Sequence, residues 1–178
     1  ESLSAVLRQL WQTATGTDLH EALGMTECST FLSGSPTRPA PMGSSGYPQP
    51  GRQIAVLDGT CTDVQTGELA IHRSDPGLML GYYGLPDETA RRFAGDWFLT
   101  GDQVAEAPDG AIAYLGRGDD MMNPGGYRVS PMEVEAVMLA TPGISDCAVV
   151  EAEVAPGSRI IAALYTSAHP IDDQVLAD

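Results

Sequence analysis

Residues Tyr114 to Glu135 read Tyr-Leu-Gly-Arg-Gly-Asp-Asp-Met-Met-Asn-Pro-Gly-Gly-Tyr-Arg-Val-Ser-Pro-Met-Glu-Val-Glu. Gly116 and Gly118 flank Arg117, so the backbone can turn sharply while the guanidinium points outward. Asp119 and Asp120 follow, two adjacent carboxylates that cannot both face one core. Pro124-Gly125-Gly126 predicts a loop in which a ligand can approach bare backbone. Ser130 then reads as an N-cap, Pro131 as the first helical residue and Glu133 as the close of an S-x-x-E capping box, with Val129 and Val134 at the positions of a hydrophobic staple. A strand end, a charged turn, a glycine loop and a helix start mark a boundary between two structural styles.

Downstream of that boundary, the helix from Pro131 carries Val134, Val137 and Met138 on one face and stops before Pro142-Gly143. Residues 146–151 and 159–166 read as two strands about a Pro156-Gly157 turn. This predicts a small α+β unit beginning near Asp119. Residues 171–178 bring no closing element, so the unit reads as cut short.

Upstream, Leu3, Val6, Leu7, Leu10, Trp11 and Ala14 recur at helical spacing, with Ser2 as a candidate cap and Gly16 as the stop. Alternation over Leu19 to Leu23 predicts a strand ending at Gly24, and the helix and strand together read as half of a parallel α/β unit. Residues 33–52 are dense in Gly, Ser and Pro and lack a Gly-Lys-Ser/Thr ending, which predicts a long surface loop rather than a phosphate loop. Short strands are expected at 53–57, 68–72, 78–83 and 97–100. A short helix is expected over 86–93, and Pro108-Asp109-Gly110 predicts a hairpin between 104–107 and 111–115. Many short strands separated by turns suggest a small barrel or sandwich, with Tyr82 and Tyr83 packing inside it.

The chain has 178 residues, an apolar fraction of 43% and a charged fraction of 19%, values of an ordinary globular protein. Net charge is −15, from 24 acids against 9 bases, which disfavours nucleic-acid and anionic-membrane partners. No apolar run approaches the roughly 20 residues that span a bilayer. All nine bases are arginine, so no mechanism can draw on a lysine of this chain. Cys28, Cys61 and Cys147 are odd in number and widely spaced, which predicts a reduced, cytoplasmic protein without a zinc site. Cys28 reads as a small residue after a strand rather than a catalytic thiol. His20, His72 and His169 are isolated and read as structural. The Glu1-Ser-Leu-Ser start looks like an internal cut.

Three short patterns carry chemistry. Gly24-Met25-Thr26-Glu27 follows a predicted strand: a Thr hydroxyl can hydrogen-bond a phosphate oxygen, and an adjacent carboxylate can hold a Mg²⁺ that bridges phosphates. By itself the tetrad is more often a strand-end turn with a solvated Glu. Leu99-Thr100-Gly101-Asp102 places a carboxylate at another expected strand end, suited to vicinal ribose hydroxyls but equally to a β-turn. Arg117 suits a phosphate or sugar oxygen, or a surface ion pair with Asp119 or Asp120.

Taken together, Gly24-Met25-Thr26-Glu27, Gly67-Glu68-Leu69, Gly81-Tyr82-Tyr83, Thr100-Gly101-Asp102, Gly116-Arg117-Gly118-Asp119-Asp120 and Gly126-Tyr127-Arg128-Val129-Ser130-Pro131-Met132-Glu133-Val134-Glu135 resemble, in order and spacing, the adenylate-forming superfamily. Acyl- and aryl-CoA synthetases, peptide-synthetase adenylation domains and beetle luciferases belong to it, and the acyl-CoA synthetases are nearest in flavour. The resemblance implies an α+β fragment. Residues 1–117 would end a large N-terminal α/β domain, mostly in its β-barrel-like subdomain, and residues 118–178 would begin the mobile C-terminal lid. Family enzymes join a carboxylic acid to ATP and then pass the acyl group to the thiol of coenzyme A, in fatty-acid or aryl-acid metabolism.

Carried over by motif, Gly24, Met25 and Thr26 would line the nucleotide, with Thr26 on phosphate and Glu27 on Mg²⁺. Asp102 would bind the ribose, Arg117 the nucleotide and Arg128 a phosphate. Asp119 would be the hinge of the lid, and Gly125 and Gly126 would let the pantetheine arm of coenzyme A pass. Leu23 stands where the family usually has an aromatic residue against the base. The family's phosphate-gripping loop would precede residue 1, and its adenylating lysine would follow residue 178, so the fragment alone is expected to be inactive. Two other readings remain open: an adenylation domain that loads a carrier protein, and a non-catalytic nucleotide-binding module of the same fold.

Overall fold

In the computed structural model, residues 5–123, 127, 129–155 and 158–171 are described. The chain divides into two compact units, Glu1–Tyr114 and Leu115–Asp178. Both are sheet-rich, and the architecture is α+β.

The first unit opens with α1 (Ala5–Thr15), which ends where predicted. Gly16 takes φ +70°, and its amide reaches back to the Gln12 carbonyl at 2.8 Å. Strand β1 (Ala22–Met25) starts three residues later than the alternation suggested, and it pairs antiparallel with β2 (Ser29–Ser33). The expected half of a parallel unit is therefore corrected. The chain reverses at once through Thr26, Glu27 and Cys28, closed by the Cys28 amide on the Met25 carbonyl at 3.1 Å, and an antiparallel partner needs no crossover. Gly24 permits the pairing, because a Cβ there would lie 2.5 Å from the Ser29 oxygen and 2.7 Å from the Thr30 Cα. The Gly/Ser/Pro-rich segment is more structured than a surface loop. It holds β3 (Tyr47–Pro48), the third strand of this sheet, and Ser44 and Tyr47 are buried.

The second sheet contains β4 (Ile54–Leu57), β5 (Thr66–His72), β6 (Phe93–Ala94), β7 (Trp97–Glu106) and β8 (Ile112–Arg117), with α2 (Pro86–Arg91) before β6; β8 begins in this unit and runs past its end at Tyr114. Its order is β4-β5-β7-β6, with β8 also on β7. Among the described residues this sheet is open, not a closed barrel. Phe31, Leu32, Val56, Leu69, Ile71, Phe98, Val104 and Ile112 form the core. The strand expected at Leu78–Tyr83 is absent, because its backbone groups bond elsewhere. The Leu78 amide meets the Asp75 carbonyl, the Met79 amide the Glu27 carbonyl, and the Tyr82 amide the Thr89 hydroxyl. Tyr83 is fully exposed, so the tyrosine pair does not pack inside a barrel.

Strand β7 does not stop at Thr100. It runs through Gly101 (φ +83°) as a bulge: β5 takes two steps from Glu68 to Ala70 while β7 takes four from Leu99 to Gln103. Side chains supply the missing ladder bonds, with the Thr100 hydroxyl donating to the Leu69 carbonyl at 2.7 Å and the Gly101 amide to Glu68 Oε1 at 2.8 Å. The hairpin between β7 and β8 turns at Pro108-Asp109-Gly110 as the sequence predicts. Asp109 clamps it, accepting from the Ala111 amide and the Tyr47 hydroxyl, each at 3.1 Å, while Arg38 lies 3.5 Å over the Tyr47 ring.

In the second unit, Met122 and Val129 bridge ahead of α3 (Pro131–Ala140). Ser130 caps the helix, accepting from the Glu133 amide at 3.4 Å while donating to the Leu115 carbonyl. Strands β9 (Ile144–Ala155) and β10 (Ser158–Ser167) form an antiparallel hairpin longer than predicted. The inward face of α3 includes Val134, Glu135 and Met138, whereas Val137 is exposed. Glu135 earns its inward place by accepting the Val149 amide at 3.0 Å. Ser2, Pro124, Gly125, Gly126, Arg128 and Pro156-Gly157 lie outside the described residues.

Two turn carboxylates predict the acid side of stability. The Thr60 hydroxyl and the Thr62 and Thr60 amides hold Asp58 below the usual carboxylate range, and the Ala111 amide and Tyr47 hydroxyl do the same for Asp109. A depressed folded pKa gives stability that is present above the unfolded value and lost as pH falls through the folded one. Urea midpoints of the chain should therefore fall between pH 6 and pH 3, and Asp109→Asn should flatten that fall. An identical slope in the variant would contradict the clamp.

Candidate functional site

The Met25–Cys28 turn presents two polar side chains differently. Thr26 is exposed and Glu27 half-buried. Glu27 is held twice by one segment: its carbonyl accepts from the Met79 amide at 2.7 Å, and its Oε1 accepts from the Tyr82 hydroxyl at 2.8 Å. No second hydrogen bond engages its carboxylate among the described residues. Leu23, on β1, is half-buried against the core.

Beneath the turn lies a buried ion pair that the sequence gives no sign of. Arg52 Nη2 is 3.2 Å from Asp75 Oδ1, with the two side chains 11% and 0% exposed. The same nitrogen donates to the Cys28 carbonyl at 2.5 Å and contacts its sulfur at 2.7 Å. Asp75 also accepts from the Gln53 and Gly77 amides, each at 2.8 Å. Burial pushes the Cys28 thiol above its ordinary pKa, and neighbouring Asp75 adds to this while Arg52 opposes it. A protonated, buried thiol is a packing residue, as expected of a small residue after a strand.

Asp102 is not at a strand end. It follows the Gly101 bulge on the buried side of β7, between Thr100 and Val104, and is 8% exposed. Its amide donates to the Thr100 hydroxyl at 3.1 Å. In the second unit, Arg117 Nε pairs with Asp119 Oδ1 at 3.3 Å, and Asp119 and Asp120 are exposed. Gly116 is buried with φ +124°, a conformation that favours glycine.

The structure thus brings Thr26 and Glu27 together on one turn and places Asp102 on a strand of the same unit. Arg117 and Asp119 belong to the other unit. Sequence reasoning missed Arg52 and Asp75, whose burial no periodicity signals, and it misread Tyr82 as packing. The only available hint was Gly81-Tyr82 in fixed order after the Glu27 motif. Among the described residues no cluster of three His, Cys, Asp or Glu side chains could hold a metal, and no helix is long and apolar enough to cross a membrane. A cleft of about 980 Å³ opens beside Tyr82, lined in part by Arg73, Met79, Thr89 and Phe93.

A model of the AMP-binding enzyme family matches residues 1–83. The chain is 32% identical over 154 residues to the benzoate–CoA ligase of Thauera aromatica, covering 84% of this chain and 29% of that protein. Among solved structures, ATP-bound MatB of Rhodopseudomonas palustris matches with a TM-score of 0.85 at 29% identity, over 97% of this chain and 36% of that one. The anthranilate CoA ligase AuaEII in complex with anthranoyl-AMP matches with a TM-score of 0.83 at 30% identity, over 99% and 34%. The chain spans less than a third of the length of the curated relatives it matches first. It is related in sequence and fold to the adenylate-forming enzymes, and its ligase relatives are acid–CoA ligases.

Arg52→Met removes one partner of a buried pair and leaves Asp75 uncompensated, which should cost about 3–5 kcal/mol. Urea unfolding of the chain measures it, and a loss below about 1 kcal/mol, the range of an exposed pair, would contradict the burial.

Proposed function

We propose, from the premise of that kinship, that the chain is part of an ATP-dependent carboxylate–CoA ligase. It would run from the end of the large nucleotide-binding domain, residues 1–117, into the first part of the lid, residues 118–178. The observation that carries this reading is the Thr26–Glu27 turn. It offers an exposed hydroxyl beside a half-buried carboxylate that has one oxygen hydrogen-bonded and further lone pairs available.

That geometry fits Mg²⁺. The ion keeps several waters and is commonly bound by one or two carboxylates plus substrate phosphates, so a three-ligand protein cage is not required. Glu27 would hold it. When bound, the ion would supply positive charge to the phosphate oxygens and so favour the departure of pyrophosphate.

The chain's own residues would bind and orient. The Thr26 hydroxyl donates to a phosphate oxygen, and the backbone of Gly24 and Met25 borders the nucleotide. Asp102 accepts the ribose hydroxyls from a position fixed by the bulge at Gly101. Arg117 and Arg128 offer guanidinium groups to the nucleotide and its phosphates. In the second half-reaction the thiol of coenzyme A displaces AMP from the acyl-adenylate, with the pantetheine arm passing Gly125 and Gly126. Asp119 is the pivot between the two half-reactions, since rotations of this kind are absorbed by a few element-terminal residues.

The chain contains no lysine, so it lacks a lysine ammonium to stabilise charge developing during adenylation. The 178-residue chain should therefore show no ATP–pyrophosphate exchange with any acid of a benzoate and fatty-acid panel. A longer protein containing it should exchange and release a CoA thioester. Exchange by the short chain above background would refute its proposed dependence on the rest of the enzyme. Transfer only to a carrier-protein thiol would replace coenzyme A as acceptor.

A further inference from the structure

We propose that Tyr82 is a positioning residue for the Glu27 carboxylate, and that the buried Arg52–Asp75 pair fixes the segment from which it reaches. The inference rests on the reading of Glu27 as the carboxylate that faces Mg²⁺ and phosphate.

Glu27 sits on a turn, and a glutamate side chain has three torsions to settle. Tyr82 settles them with one bond. A hydroxyl donating to Oε1 at 2.8 Å holds one oxygen and leaves Oε2 to face a ligand. The backbone bond between the Glu27 carbonyl and the Met79 amide fixes the other end of the residue, so Met79 and Tyr82 grip it from a single segment. Groups that hydrogen-bond a metal-binding carboxylate set its orientation, and their loss typically weakens metal binding about 10–100-fold.

A grip works only if the segment is itself rigid, and residues 78–85 have neither helix nor strand. Irregular backbone of this kind opens easily unless it is tied down. Both ends are tied. At the far end the Tyr82 amide donates to the Thr89 hydroxyl at 2.9 Å and the Leu85 amide to the Tyr82 carbonyl at 3.1 Å, which joins the segment to α2. At the near end the Asp75 amide meets the His72 carbonyl at the end of β5, and the Asp75 carboxylate takes the Gln53 and Gly77 amides.

Arg52 closes the arrangement. Its Nη2 spans Asp75 and the Cys28 carbonyl, so one guanidinium contacts both the residue after Glu27 and the anchor of the segment that carries Tyr82. A Cβ on Gly77 would overlap Arg52 Nη1 and come within 2.7 Å of its Cζ, so the glycine leaves the space the guanidinium fills. Arg52 Nε is buried without a hydrogen-bond partner. A charge kept inside at that cost points to geometry rather than to net stability.

The test uses the longer enzyme that contains this chain, with Mn²⁺ as the probe, its binding followed by electron paramagnetic resonance in the presence of ATP and without acid. Tyr82→Phe should weaken Mn²⁺ binding about 10-fold while leaving the unfolding midpoint within a few degrees of the parent. Tyr83→Phe, at a fully exposed position, should change neither. Thr89→Val removes one of the two bonds at the far end, the acceptor of the Tyr82 amide, and should weaken Mn²⁺ binding several-fold, which keeps the inference open to test even if Tyr82→Phe misfolds. Parent-like Mn²⁺ binding in Tyr82→Phe, or in Thr89→Val if Tyr82→Phe is unfolded, overturns the inference. Glu27→Gln separates the layers. If it binds Mn²⁺ like the parent, the reading of Glu27 itself fails; if only Glu27→Gln weakens binding, the carboxylate reading stands and the positioning role falls.

Discussion

The Arg52–Asp75 ion pair is the interaction on which the rest of the candidate site depends. Taking a guanidinium and a carboxylate out of water is expensive, and their attraction offsets this only when other hydrogen bonds use the remaining donors and lone pairs. Asp75 meets that condition through two backbone amides, whereas Arg52 meets it incompletely, since its Nε has no partner. The pair therefore specifies geometry more than it adds stability. It joins the loop at Arg52, the turn at Cys28 and the start of the segment that ends in Tyr82, three pieces with no shared strand ladder.

The same logic operates on a smaller scale at the β7 bulge. Gly101 breaks the ladder, and Thr100 and Glu68 repair it with side-chain bonds. The cost of the irregularity is met locally, and its product is an acidic residue held in a buried register of a long strand. In the second unit Ser130 and Glu135 do related work, the first at the start of α3 and the second on the Val149 amide. In each place a polar side chain completes a backbone group that regular structure leaves open.

Much of this was legible in the sequence, for identifiable reasons. The hairpin at Pro108-Asp109-Gly110, the Ser130 cap with Pro131 after it, and the Gly16 stop are local turn and cap chemistry, which acts over a few residues. Resemblance through six ordered motifs reached the family kinship directly. The failures have two causes. The bounds of the first strand are set by its pairing with Ser29–Ser33 across a tight turn, which the alternation over Leu19–Leu23 does not register. Whether 78–83 pairs and whether β7 passes through Gly101 are decided by partners distant in sequence, Glu27 and β5 among them. The Arg52–Asp75 pair brings together residues whose surroundings, Pro50-Gly51-Arg52 and Ser74-Asp75-Pro76, look like ordinary solvated turns. Tyr82 was legible as a motif member but not as a hydrogen-bond donor, because its acceptor lies 55 residues earlier.

The central claim is that the Glu27 turn and the Met79–Tyr82 segment form one rigid piece, and amide hydrogen exchange reads it most directly. The Met79 amide, bonded to the Glu27 carbonyl, and the Gly77 amide, bonded to Asp75, lie outside helix and strand. If the claim holds, both exchange as slowly as the amides of β5 and open with them in one cooperative unit. Exchange of Met79 and Gly77 at the rate of exposed loop amides, with β5 still protected, would contradict it.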